Sequence, residues 1–188
     1  IGQFVHLLRR NVPMLYLIED NGVYGLTKGQ FSATADAGSK SKSGVPNVLP
    51  AIDTCLLALE LGATFVARAT HTNPNHLLEM MEAAMDHNGF SVIECLSECV
   101  EFYPGAFDSS NPRKGGNFQL VPADHDISDE VAAYRLANAP FPGYFGIFYQ
   151  TKAPTKNELE AKLNAAAQEK FAGLKDWQIL QKSFERMS

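Results

Sequence analysis

Cysteine is scarce in this sequence: three among 188 residues, at positions 55, 95 and 99. Three thiols at those spacings build no disulfide framework, and a reducing, cytoplasmic compartment is the expectation. Long apolar runs are missing too. None approaches the ~20 consecutive residues that a membrane-spanning helix needs. Positive charge is in deficit, with 16 Lys and Arg against 21 Asp and Glu and a formal net charge of −5. That removes any general electrostatic case for nucleic acid or an anionic membrane as partner. There are no internal repeats and no low-complexity tracts. Nothing reads as a signal peptide, and the first residue is Ile1 rather than Met. What is present is ordinary for a globular chain, 45% hydrophobic and 20% charged, and long enough for one domain with its own core.

The chain is organised around Asp20–Phe31, DNGVYGLTKGQF. The apolar run before it, residues 13–18, has the length and bounds of a buried parallel strand. A strand that ends in Asn and a glycine-rich loop suits an anionic cofactor at the C-terminal edge of an open sheet. There the backbone approaches a phosphate closely and a short amide side chain reaches a metal. Upstream, Phe4, Leu7 and Leu8 mark the end of a helix, with Arg9 and Arg10 in its last turn. On composition alone His6 is a helix-face histidine.

Downstream, residues 31–47 form a polar loop. Thr27 to Thr34 offer donors for a diphosphate; Lys40 and Lys42 either reach an anionic substrate or partner or are simply solvated. Residues 48–62 predict a helix, with Ile52, Cys55, Leu56 and Leu59 inward and Gly62 as its cap. A strand follows over 64–69. A helix begins at Asn73-Pro74 and buries Leu77, Leu78, Met81, Ala84 and Met85. A third strand covers 90–96. Strands and helices in alternation predict an α/β fold with a parallel sheet. His71, His76 and His87 have no metal spacing and read as structural or exposed. Residues 100–122, punctuated by Pro and Gly, are an irregular excursion that would suit packing on a partner. A short helix over 128–134, a last strand over 146–150 and an amphipathic helix over 157–173 follow. That last helix should turn Leu159, Leu163, Ala166 and Phe171 inward. The tail, with Trp177, Ile179, Leu180 and Phe184, is too apolar to stay in water and should dock.

Two stretches together carry a resemblance. His6-Leu-Leu-Arg9-Arg10-Asn11 precedes the strand, and Asn21-Gly-Val23-Tyr24-Gly25-Leu26-Thr27-Lys28-Gly29-Gln30 follows it. In that order and spacing they resemble the second half of the thiamin diphosphate motif in β subunits of 2-oxoacid:ferredoxin oxidoreductases. The resemblance implies a parallel-sheet domain of the pyrophosphate-binding type, N-terminally incomplete. A GDGD segment and most of the cluster cysteines would lie before Ile1. Residues 1–150 would be the C-terminal part of that domain, and 151–188 a helical extension docking on a partner or domain. Asn21 would be a side-chain Mg²⁺ ligand and Val23 a backbone one, a set that suits the oxygen chemistry of this ion. Tyr24, Gly25, Leu26 and Thr27 would line the cofactor, and His6 would lie near it without an assigned role. Asp20 competes for the metal on charge alone.

The same resemblance implies coenzyme A-dependent oxidative decarboxylation of a 2-oxoacid, with electrons leaving through a [4Fe–4S] cluster to ferredoxin, and an α subunit as obligatory partner. Leu26 and Lys28 stand where pyruvate-specific relatives carry Asn and Gly, so 2-oxoglutarate is the first choice of substrate. Lys28 either meets its second carboxylate or only holds the diphosphate. Ser97-Glu98-Cys99-Val100-Glu101-Phe102 resembles the family's Ser-Pro-Cys-x-x-Phe segment, with Glu98 in place of Pro. This makes Cys99 the distant last cluster ligand, while Cys55 and Cys95 read as buried small hydrophobes. Two other readings compete. A non-redox thiamin diphosphate decarboxylase or synthase would lack the cluster. A non-catalytic α/β interaction module would leave the loop motif unexplained.

Overall fold

The computed structural model describes residues 2–40, 44–141 and 143–185; Lys42 lies outside them. Helix α1 (Gly2–Arg9) leads into strand β1 (Met14–Asp20), and a small hairpin follows, β2 (Val23–Tyr24) with β3 (Gln30–Phe31). Then come α2 (Thr54–Glu60), β4 (Phe65–Thr70), α3 (Pro74–Asp86) and β5 (Phe90–Leu96). Two short 3-10 turns precede β6 (Gln119–Leu120), α4 (Glu130–Ala137), β7 (Tyr144–Gln150), α5 (Lys156–Lys170) and α6 (Asp176–Glu185).

The five-stranded sheet has the order β1-β5-β4-β7-β6. Strands β1, β5 and β4 are parallel, as the alternating pattern requires. β7 departs from that: it runs antiparallel to β4, with β6 parallel to β7. The physical reason is the return path. α4 brings the chain back to the carboxyl edge of the parallel strands, where Ala139 and Phe141 share a cavity with Asp20 and Leu96, so β7 can only descend.

The central strands β4 and β5 are buried at every position. β1 is not the fully buried strand its apolar run implies. It pairs on one flank only, among the described residues, and is half-buried. One face of the sheet packs Val66, Phe90, Val92 and Phe148 on α1, α2 and α4, through Phe4, Leu8, Cys55, Leu59, Ala133 and Ala137. The other packs Phe65, Ala67, Ala69 and Ile93 on α3, through Leu77, Met80, Met81 and Ala84.

Local chemistry sets the ends of the helices. α2 starts at residue 54, not 48, because Asp53 takes the cap and its carboxylate accepts from the Leu56 N–H at 2.7 Å. Val48 and Leu49 are therefore exposed loop residues, and Ile52 stands exposed before the helix. At its other end Gly62 (φ +80°) donates to Leu59 and Ala63 donates to Ala58, which closes a Schellman turn. Asn73 caps α3, with Pro74 at its first position. Leu78 and Met85 of that helix face solvent, and Met80 and His76 take the inward places.

The excursion over 100–122 is anchored on its own chain at Phe118, which stacks on Phe145 at 4.7 Å and meets the edge of His76. One further expectation changes. α5 has a complete capping box at Thr155 and Glu158 but buries none of its residues, so Leu159 and Leu163 do not turn inward. Its sequence supplies helix propensity and a cap without a continuous apolar stripe.

Candidate functional site

The carboxyl edge of the three parallel strands gathers the residues of interest. At the end of β1 the Asp20 carboxylate accepts from the Gly22 N–H (3.0 Å) and from the Thr34 hydroxyl (2.5 Å). It thus pins both ends of the hairpin segment to the strand. Burial raises the pKa of Asp20, with the hydrogen bonds from Thr34 and Gly22 partly offsetting the rise. The Asn21 side-chain oxygen accepts from the Val23 N–H at 3.0 Å, an Asx turn that aims the amide along the loop. Gly22 between them sits at φ +68°, where an L side chain is strained.

The hairpin tip is tightly wound. The Thr27 hydroxyl and the Gly29 N–H both donate to the Tyr24 carbonyl, and the Lys28 N–H donates to Gly25. Lys28 is left-handed at φ +65°, one of two non-glycine residues so held among those described. Leu26 at the tip is 98% exposed and Tyr24 56%. Behind the tip, the Asn47 side chain donates to the carbonyls of Ala35, Asp36 and Leu49, which ties residues 35–36 to residues 47–49.

Cys99 comes to the same edge. The Ser97 N–H donates to the Asp20 carbonyl at 2.8 Å, and the Tyr103 N–H closes a turn onto the Cys99 carbonyl at 2.9 Å. Glu98, in the place of the expected Pro, accepts from the Gly105 N–H and lies 3.8 Å from Lys114. Cys99 is partly exposed, whereas Cys95 and Cys55 are buried. Burial pushes the Cys95 thiol up to about 11 and the Cys55 thiol well above its ordinary value.

His6 lies exposed on α1, with no hydrogen-bond partner among the described residues. His71 bonds the Leu96 carbonyl through Nδ1. His76 is buried, and burial lowers its pKa.

Beneath the edge lies a charged cluster that sequence reasoning missed. Arg68 of β4 and Glu94 of β5 are register partners, joined at 2.5 Å, and Arg68 also reaches Asp53 at 3.0 Å. Thr54 donates to Glu94, and the Arg68 guanidinium lies over the Phe148 ring at 5.4 Å. Burial alone would raise Glu94; Arg68 and the hydrogen bonds from Thr54 and Cys55 outweigh it and lower its pKa. Asp53 moves the other way, since its burial exceeds what Arg68 returns. A charged residue in each of two otherwise apolar strand runs was the available signal.

The donors fit the groups that the sequence implies. The Asn21 amide oxygen and the Val23 carbonyl are hard oxygen donors of the kind Mg²⁺ takes. A single accessible thiol matches a share in a cluster rather than a whole site. The described residues contain no group of three or more His, Cys, Asp or Glu able to hold a metal ion. None of their helices is long and apolar enough to cross a membrane.

A family model described as the thiamine pyrophosphate enzyme, C-terminal TPP binding domain, matches residues 1–95. The chain is 47% identical over 103 residues to 2-oxoacid:ferredoxin oxidoreductase 1, subunit beta, of Aeropyrum pernix, covering 54% of this chain and 32% of that one. It is 37% identical over 125 residues to the 2-oxoglutarate oxidoreductase subunit KorB of Mycobacterium tuberculosis, covering 66% and 33%. Among solved structures, it is similar to the 2-oxoglutarate:ferredoxin oxidoreductase from Magnetococcus marinus with 2-oxoglutarate, coenzyme A and succinyl-CoA bound. The TM-score is 0.81 at 32% identity, with 96% of this chain and 61% of that one covered. The matches to the first two relatives thus span about a third of each relative's length.

Proposed function

The chain belongs to the thiamine pyrophosphate enzymes, through their C-terminal TPP-binding domain, and on that premise we propose that it is the cofactor-binding part of the β subunit of a 2-oxoacid:ferredoxin oxidoreductase. The observation that carries this reading is the hairpin at the end of β1, with the Asx turn of Asn21, the left-handed Gly22, the Thr34 hydroxyl at the strand end and the Thr27 hydroxyl at the tip. Relatives named for 2-oxoacid and 2-oxoglutarate oxidoreductases support it. The substrate is a 2-oxoacid, with 2-oxoglutarate first; coenzyme A and ferredoxin are co-reactants, an α subunit is the partner, and the compartment is cytoplasmic.

Asn21 and the Val23 carbonyl hold Mg²⁺, and through it thiamin diphosphate. Tyr24, Gly25, Leu26 and Thr27 line the cofactor, with His6 in its neighbourhood in the assembled enzyme. The bound cofactor supplies the electron sink that decarboxylation of a 2-oxoacid needs. Asp20 has a structural task at the same edge: one of its carboxylate oxygens holds both Gly22 and Thr34, and so keeps the loop shaped. Lys28, at the tip beside Leu26, faces whatever approaches the cofactor and meets a second carboxylate on the substrate. Cys99 gives one thiolate to a [4Fe–4S] cluster. Residues 151–188 are an extension that docks on the partner, which accounts for the bare faces of α5 and α6, with Leu163 70% and Phe184 67% exposed.

The test uses the full-length subunit purified with its α partner. We expect reduction of ferredoxin that depends on 2-oxoglutarate, coenzyme A and Mg²⁺–thiamin diphosphate together, by a brown complex containing iron and sulfide. A colourless complex that decarboxylates the 2-oxoacid without an electron acceptor would move the chain to the non-redox enzymes of its family.

A further inference from the structure

The turn that carries Cys99 is fastened to the hairpin at more than one point. The first is the backbone bond from Ser97 to Asp20. By itself a single bond is a hinge, about which the 97–103 turn could rotate. The second point is a ring. A Cβ built on Gly22 would stand 3.0 Å from Cε1 and 3.1 Å from Cδ1 of Tyr103, so the ring lies flush on that glycine. Phe102 covers Gly29 in the same way, at 3.5 Å. The contact falls where it matters most. Gly22 is the residue between the two oxygens of Asn21 and Val23, and Tyr103 is bonded back to Cys99.

We propose that Tyr103 is a positioning residue which, by packing on Gly22, locks the Asn21–Val23 oxygen pair and the Cys99 turn into one geometry, so that the two cofactor sites form together. This rests on the reading above, in which the pair holds Mg²⁺–thiamin diphosphate and Cys99 holds a cluster. The ring removes the rotation that the Ser97 bond leaves free, and any shift of one loop is carried to the other as a steric push. The energy involved is that of a coupling between sites, which commonly lies between fivefold and a hundredfold in affinity.

The experiment compares Tyr103→Leu, Tyr103→Phe and Asn21→Ala in the full-length enzyme with its α partner. It reads thiamin diphosphate affinity in Mg²⁺ by titration calorimetry, the EPR spectrum of the reduced cluster, and the thermal midpoint. Tyr103→Leu should weaken thiamin diphosphate about tenfold and alter the cluster spectrum, while Tyr103→Phe, which keeps the ring, restores both. If Tyr103→Leu does not assemble, Tyr103→Met takes its place with the same readouts. A lower midpoint with unchanged affinity and spectrum would reduce Tyr103 to a packing residue, and a response at one site alone would likewise overturn the coupling. Asn21→Ala separates the two ideas. If it leaves thiamin diphosphate binding intact, the cofactor assignment fails; if it weakens binding while the Tyr103 variants do not, only the coupling fails.

Discussion

Single residues at this sheet edge do different jobs that the motif alone does not separate. Asn11 closes the His-x-x-Arg-Arg-Asn stretch, yet its work is structural. It is buried at φ +44°, accepts from the Phe90 N–H and the Thr64 hydroxyl, and donates to the carbonyls of Ala153 and Pro154. Asn11→Ala strands a buried backbone donor and puts Ala in a left-handed position, so it should destabilise the fold by about 2–4 kcal/mol, readable as a lower denaturation midpoint. Gly22→Ala combines positive φ with the Tyr103 ring in the way, and should abolish thiamin diphosphate binding before it unfolds the chain. Lys28 is a chemical choice rather than a fold requirement, since its left-handed backbone would suit Gly better. In Lys28→Met, kcat/KM for 2-oxoglutarate should fall roughly tenfold to a hundredfold against pyruvate, from a lost charge pair of ~1.5–3 kcal/mol. An equal loss on both substrates would show that Lys28 only holds the diphosphate. The motif residues were legible because their chemistry is local. Tyr103 was not, since the signal that finds it is the space left over a glycine eighty-one positions earlier.

At the scale of elements, β4 and β5 bring together, as a buried ion pair, the one charged side chain that each strand carries. Register makes the pair: Arg68 and Glu94 are opposite each other on the face that meets α2. Periodicity identified both strands within a residue but could not pair them, because strand order is decided by non-local packing. For the same reason it located β7 without giving the direction in which it runs. Removing one partner leaves the other charged and buried, so Glu94→Gln should cost roughly 3–5 kcal/mol at neutral pH. The pH dependence follows from the lowered pKa of Glu94. Its contribution is complete above the unfolded carboxylate value of 4.5 and is lost as pH falls through the lower folded value. The gap in thermal midpoint between wild type and Glu94→Gln should therefore stay constant from pH 7 to about 5 and close on further acidification. Were the gap to persist unchanged into strong acid, Glu94 would not be the ionised member of the cluster.

Across the whole molecule, the well-read parts are those whose partners lie nearby in the chain, and the misread parts those whose partners lie far off. The helix pattern of α5 predicted an inward face, and the structure gives it none within this chain. The apolar residues of α6, Trp177, Leu180 and Phe184, stand equally bare. In the α-bound enzyme these helices should become protected from amide exchange, while in the free subunit they should exchange freely; equal exchange in both states would remove them from the interface. β1 has the larger consequence. It offers one row of backbone donors and acceptors with no strand beside it, among the described residues, and it is only half-buried. Such a rim is a template for another chain. Handled alone at high concentration, this polypeptide should therefore self-associate through β1 and come out of solution as β-rich precipitate. Its yield in the laboratory will depend on what is co-expressed beside that strand more than on the stability of its core.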